Sequence, residues 1–454
     1  MNYDLVVIGA GSAAREAATR ARAYGASVAL VERNLWGGSC PNVACAPTKA
    51  YVAAAELLHD INELAASMGL DAKPATADLA RVKARKDFLT RTQERWLDVL
   101  GDQGIATYEG EAALVSRNVV RVGGEELAAD RILIATGSRT AVPPIAGLAE
   151  VDWLDHVSIL QLEELPESML VVGGGPVGLE LGQAFARFGT RVTIADVVDR
   201  IAIRADEEAS AALAEALHSE GLELLLGASI ERVTSDGDGV LATIDGAERR
   251  FEEVLLAAGR FPNVEPLGLD AVGVETTRAG IVVDERMRTT VEGIWAAGDV
   301  TGRAQLSPLA DFMGRLAADD MFGVAEPADF SLIPTAIFTD PELAGVGLTE
   351  AEARAQGNDV ETTSYPLGIV QRAFYVDATH GLFKLVYERE SRRVVGLHVV
   401  SRSAGEIVQG YTLALKHGVT VDEIAAAHNV FPIFGEGVKY AAQRAERLPV
   451  ATAG

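Results

Sequence analysis

Cysteine is nearly absent from this sequence. Its 454 residues contain two cysteines, Cys40 and Cys45, with four residues between them. A structural disulfide across so short a loop would remove little unfolded-state entropy, and reducing compartments rarely keep one. A zinc site needs about four ligands, and nothing nearby supplies the rest. The seven histidines (His59, His156, His218, His380, His398, His417 and His428) are scattered, and none stands at a metal-like spacing from another His or a Cys; no metal site is expected. Gly-x-Ser-x-Gly and Walker-type phosphate loops are also missing. No apolar run reaches the roughly 20 residues needed to span a bilayer. The opening "MNYDLVVIGAGSA" has no basic flank before its apolar run. It reads as the start of a folded motif rather than a secretion signal, so a cytoplasmic location is expected. Positive charge is scarce, and the formal net charge is −25. That argues against a nucleic-acid or anionic-membrane surface, whose phosphates would be repelled. Anionic ligands must then be held by local devices, such as helix N-termini or single arginines. There is no low-complexity linker, so the several domains expected from this length should pack as one body.

Against these absences, one device occurs twice. "YDLVVIGAGSAAREAATRARAYGASVALVER" is an apolar strand, a Gly-rich turn, an Ala-rich helix and a second apolar strand. "SMLVVGGGPVGLELGQAFARFGTRVTIADV" repeats that order about 165 residues later. Each is a β-α-β unit of the dinucleotide-binding kind. The first turn carries Gly9, Gly11 and Ala14, and Glu32 ends the following strand 18 residues beyond Ala14. The second carries Gly173, Gly175 and Gly178, with Asp196 again 18 residues on. The first two glycines allow a tight turn and close approach of a pyrophosphate; the third position lets helix and strand pack closely; the acid accepts hydrogen bonds from a ribose. A carboxylate at Asp196 favours NADH over NADPH, although Arg200 and Arg204 are near. Between the units lie amphipathic helical stretches near 47–66 and 76–102, then a meander of short strands. A Pro-Pro pair at 143–144 marks the crossing into the second unit. From about Ile333 the pattern changes to alternating strands and late helices.

Two dinucleotide sites in one chain suggest an electron relay in which a nicotinamide gives hydride and a flavin passes electrons on. In that setting the cysteine pair reads as a dithiol/disulfide couple. "APTKAY" begins a helix beside Cys45, and a helix N-terminus favours a thiolate.

At this point "GGSCPNVACAPTK" resembles the redox motif of the class I pyridine nucleotide–disulfide oxidoreductases, which include dihydrolipoamide dehydrogenase, glutathione and mycothione reductases and mercuric reductase. The resemblance extends to both glycine turns, "ILIATGS", "LLAAGRFPN", "IWAAGDVTG", "IPTAIFTDPELAGVGLTE" and "GEGVKYAAQ". It implies an α/β fold with two Rossmann-like domains, for FAD and NAD(P), and a C-terminal α+β dimerisation domain. The implied boundaries are 1–145 (FAD, first part), 146–266 (NAD(P)), 267–332 (FAD/central, second part) and 333–454 (dimerisation). Cys40 would be the interchange thiol that meets the acceptor, and Cys45 the thiol beside the flavin. Lys49 would lie near the isoalloxazine and pair with Glu180; a cation there stabilises reduced, anionic flavin. Glu32 would hold the FAD ribose and Asp299 the ribityl chain. Ser39, Ala112, Thr136, Gly137, Gly259 and Gly298 complete the implied cofactor contacts. A homodimer would share its active sites, "FPIFGEG" reaching into the partner's.

The pattern fails at one place. Most of the family carry a His-Pro followed by Glu, the His serving as general acid/base for the departing thiolate. This chain has Phe431-Pro432, with Glu436 retained and His428 three residues out of register. A Phe cannot transfer protons, and such help is typically worth about 10²- to 10⁴-fold. The acceptor is therefore expected to be one that does not need that proton. Mercuric reductase shares the Phe, but "LPVATAG" at the end lacks its cysteine pair, Ile433 stands where it uses a Tyr, and its extra N-terminal metal domain is not seen. The active-site segments are also similar to 2-ketopropyl-coenzyme M oxidoreductase/carboxylase. Arg15 matches an Arg that holds a sulfonate there, while Asp311 takes the place of its second Arg and Lys49 is retained. The expected acceptors are a small anionic disulfide or thioether, a soft metal ion or another electrophile. Direct flavin-to-quinone transfer and a non-enzymatic redox-sensing flavoprotein subunit are the remaining alternatives.

Overall fold

A computed structural model describes residues 1–91, 93–265, 267–303, 305–324 and 328–446. The chain opens with β1 (Asn2–Ile8), α1 (Ser12–Ala23) and β2 (Val28–Glu32). Leu5 to Ile8 are all buried, as expected of a strand covered on both faces. Helix α2 (Cys45–His59) follows the cysteine loop and runs on through a π turn at Asp60–Leu64. The stretch 76–102, read from sequence as one helix, is two: Leu79–Leu89 and Gln93–Asp102. Thr90 ends the first, its hydroxyl bonding back to the Lys86 carbonyl at 3.0 Å, a local bond that competes with helix continuation.

Strands β3 (Ala106–Glu109), β4 (Ala112–Ser116), β5 (Val119–Val122) and β6 (Glu125–Ile134) complete the first sheet in the order β3-β2-β1-β6-β5-β4. The β3-β2-β1-β6 pairings are parallel, and β4 and β5 add an antiparallel meander. The second unit is a four-stranded parallel sheet. It contains β7 (Ser168–Val172), β8 (Arg191–Asp196), β9 (Glu223–Leu226) and β10 (Glu253–Leu256), ordered β9-β8-β7-β10, with α3 (Pro176–Phe188) crossing from β7 to β8. The chain then returns to the first sheet, where β11 (Ile294–Ala296) pairs with the end of β6, and continues into α4 (Ser307–Met321). The last unit is an antiparallel sheet of β12 (Thr335–Ile337), β13 (Glu342–Gly347), β14 (Val360–Pro366), β15 (Leu382–Glu388) and β16 (Val394–Ser401) in the order β12-β13-β16-β15-β14, closed by α5 (Glu436–Arg444).

Two packing arrangements position the site. Helix α1 buries Ala13, Ala14, Ala17, Ala18 and Ala21 against α4, so closely that a Cβ on Gly314 would lie 2.1 Å from the Ala13 carbonyl oxygen. Helix α2 meets α3 through Tyr51, whose ring stands 6.1 Å from those of Phe185 and Phe188. Charges taken out of water then tie the units together. Buried Lys384 on β15 reaches Asp206 and Glu350, each at 3.0 Å. Arg187 on α3 reaches Glu220 at 2.7 Å and Asp340 at 3.0 Å. Among the described residues no helix is long and apolar enough to cross a membrane.

Candidate active site

The two glycine turns are built alike. Gly9 donates its N–H to Val31 at 2.7 Å, and Gly173 donates to Ala195 at 2.8 Å. A Cβ on Gly9 would lie 2.3 Å from the Ala135 carbonyl oxygen, and one on Gly173 would lie 2.5 Å from that of Ala257. Each acid ties back to its own turn: Glu32 Oε2 accepts Ala10 N–H at 2.9 Å, and Asp196 Oδ2 accepts Gly174 N–H at 2.7 Å. The third position differs. Ala14 is fully buried with its methyl accommodated, whereas a Cβ on Gly178 would stand 2.1 Å from the Gly173 carbonyl oxygen.

The residues fit a dinucleotide at both turns. Gly11 and Gly175 cap the N-termini of α1 and α3 with extended backbone. A Cβ on Gly175 would meet nothing within 4 Å, and one on Gly11 only Gly38 Cα at 4.0 Å, which leaves room for phosphate oxygens over the helix N-termini. Beside the first turn, Gly9, Glu32, Ala112 and Thr136 line one pocket. Thr136 donates to the Asn263 carbonyl at 2.6 Å. Gly137, Gly259 and Gly298 all take positive φ, at 69°, 115° and 79°. Asp299 accepts a 2.6 Å bond from Ser138, whose hydroxyl also takes one from Arg260 at 2.7 Å. Next to Arg260 lies buried His156, whose pKa is pushed down to about 4 by burial and the arginine's charge.

Cys40 lies in the short helix Ser39–Asn42, and Cys45 opens α2. Asn42 fastens the loop by donating to the Trp36 and Gly38 carbonyls at 2.9 and 2.7 Å. The thiols hydrogen-bond each other, and Ser307 at the start of α4 lies 3.6 Å from Cys45 Sγ. The bond from Cys40, then Ser307 and the charge of Lys49, outweigh burial and hold the Cys45 thiol down to about 6. The same bond and burial push the Cys40 thiol up. These opposite directions favour a reduced pair with its negative charge on Cys45 and its proton on Cys40. Lys49, one turn into α2, meets Glu180 on α3 at 2.6 Å. Glu180 is buried and also accepts Phe338 N–H at 2.9 Å.

Among the described residues, Phe431, Glu436 and His428 make no hydrogen bond to this cluster. Phe431 is 66% exposed. Glu436 is buried and accepts Tyr440 Oη at 3.0 Å and Ile433 N–H at 3.4 Å. His428 is exposed. Arg15 pairs with Asp311 at 3.3 Å and stacks over Trp96, 5.0 Å from the ring centroid. The segment "LPVATAG" lies outside the described residues. Sequence reading missed Ser307. The Leu-Ser-Pro at 306–308 signals a helix start, but nothing local says that start abuts Cys45.

Residues 3–314 match the model of the pyridine nucleotide-disulphide oxidoreductase family. The chain belongs to that family. Residues 333–442 of the oxidoreductase match the family's dimerisation domain, which marks it as a homodimer. Mercuric reductase of Lysinibacillus sphaericus is 36% identical over 449 residues, covering 97% of the chain and 82% of that protein. Mercuric reductase of Streptomyces lividans is 38% identical over 454 residues, covering 97% of the chain and 96% of that protein. Among solved structures, the Cu(II) complex of the HOCl-induced flavoprotein disulfide reductase RclA from Escherichia coli superposes with a TM-score of 0.89. It is 27% identical and covers 98% of this chain and 100% of that one. The oxidoreductase is thus a flavoprotein enzyme with FAD and pyridine-nucleotide domains and a redox-active disulfide.

Proposed function

We propose that the enzyme passes electrons from NADH to a thiophilic metal ion, of the mercury or copper kind, through Cys40 and Cys45. FAD, when bound at the first turn, supplies two-electron transfer between nicotinamide and sulfur. Each NADH oxidised gives NAD⁺ and one proton, with one ion reduced by two electrons or two ions by one.

The observation that carries this reading is Phe431, which stands in the sequence where the family's proton donor would be. The Cys45 thiol is held down and the Cys40 thiol pushed up, which favours a thiolate at Cys45 and a proton at Cys40. A disulfide acceptor needs a proton delivered to its departing thiolate, and Phe431 stands where the family's donor would be. A thiophilic cation needs none, because it displaces the Cys40 proton to solvent as the thiolate ligates it. Glu436 is committed to Tyr440 and Ile433, and His428 makes no hydrogen bond among the described residues. Two kinds of relative agree with a metal acceptor: the mercuric reductases in sequence and the Cu(II)-bound reductase in structure. The coenzyme M reading is weakened because Arg15 is already paired with Asp311.

NADH is favoured over NADPH because Asp196 would face a 2′-phosphate with like charge. Arg200 is spent on the Ala205 and Ile203 carbonyls at 3.1 and 2.8 Å. The test is NADH oxidation with Hg²⁺, Cu²⁺, glutathione disulfide, lipoamide, quinones and coenzyme M thioethers. Metal-dependent turnover well above every disulfide supports the reading; faster turnover with a disulfide, thioether or quinone defeats it.

A further inference from the structure

The α1–α4 contact carries two ion pairs. One, Arg20 with Asp319 at 2.6 Å, lies far along both helices. The other, Arg15 with Asp311, lies beside the dithiol. Asp311 follows Ser307 by four residues on α4, so the two side chains share one face of the helix. Ser307 touches Cys45, which places Asp311 one turn further along the wall beside the sulfur pair. Its carboxylate is 38% exposed, open to a molecule arriving from solvent. The charge of the Asp311 carboxylate adds to the upward push on the Cys40 thiol, after the bond to Cys45, burial and the Cys45 charge. The guanidinium is turned over the Trp96 indole.

We propose that Asp311 is a specificity-determining residue, giving the approach to Cys40 a negative potential that favours cationic acceptors over anionic ones. This rests on the reading of Cys40 as the sulfur that meets the acceptor. A fixed carboxylate beside a partly dehydrated thiol raises the local concentration of cations and lowers that of anions, and the effect falls with salt. Arg15 then serves to hold the carboxylate in place rather than to receive an anion.

The test reads the field at Cys40 with a charged and a neutral probe. The NADH-reduced holoenzyme is alkylated with iodoacetate and with iodoacetamide, and the Cys40 label is measured by peptide mass spectrometry. Asp311→Asn should raise the iodoacetate-to-iodoacetamide rate ratio by about threefold or more at low salt. It should also lower kcat/KM for Cu²⁺ by a similar factor. Asp319→Asn, which cuts the other tie between the same helices, should leave the ratio unchanged. An unchanged ratio in Asp311→Asn, or an equal rise in Asp319→Asn, overturns the proposal. The two readings fail separately. If metals are reduced but the ratio does not move, Asp311 is not the determinant. If the ratio moves but the wild type reduces no metal ion, the metal reading falls and the Asp311 assignment stands.

Discussion

Phe431→His should turn a poor disulfide reductase into a better one. A positioned general acid is worth about 10²- to 10⁴-fold. The new imidazole would need Glu436 to orient it, and that carboxylate is 5% exposed and already accepts Tyr440 Oη at 3.0 Å and Ile433 N–H at 3.4 Å. Turning Glu436 away from Tyr440 gives up one hydrogen bond, about 1 kcal/mol or about fivefold. The low end of the gain then falls to about twentyfold, so at least a tenfold rise is expected. Phe431→His combined with Tyr440→Phe removes the competitor and should restore the lost factor. The assay is NADH oxidation with glutathione disulfide or lipoamide, measured across pH. A histidine acting as acid works in its protonated form, so the gain should fade above its pKa of about 6.5. Unchanged disulfide turnover in both variants, with dithiol reduction by NADH intact, would refute the argument that a missing proton donor blocks this acceptor.

Other consequences follow from the same contacts. The Cys45 thiolate should persist down to about pH 6 and be lost below it, because its folded pKa is depressed; the long-wavelength thiolate–flavin band reports this, and Lys49→Met should move its midpoint up toward the ordinary thiol range. Asp196→Ser should raise the kcat/KM ratio of NADPH to NADH by about tenfold, since it removes the like charge facing a 2′-phosphate. Lys384→Met should destabilise the protein by about 3 kcal/mol, seen as a lower denaturation midpoint, because Asp206 would be left buried and unpaired.

Much of the electron path was legible because each part is a local pattern. The glycine turns, the acids that close them and the Cys40–Cys45 spacing lie within stretches of about thirty residues, where period and turn chemistry decide the structure. Lys49 and Glu180 are 131 positions apart and were joined only through the family resemblance; packing of Tyr51 on Phe185 and Phe188 is what brings α2 and α3 together. Ser307 could not be read at all, and Asp311 only as the residue standing where the coenzyme M resemblance has an Arg, since their place beside the sulfurs comes from α4 docking on α1 through Gly314 and Ala13. The break at Thr90 was missed because it carries no Gly or Pro signal; one hydroxyl bond ends the helix there.

The central claim is that electrons reach the acceptor through sulfur. The most direct measurement is NADH oxidation with Cu²⁺ or Hg²⁺ by the wild type and by Cys40→Ala, at equal flavin content. Metal-dependent turnover is expected in the wild type and its loss in the variant, with reduction of the flavin by NADH unimpaired. Full metal-dependent turnover in Cys40→Ala would contradict the claim and place the exit of electrons at the flavin itself.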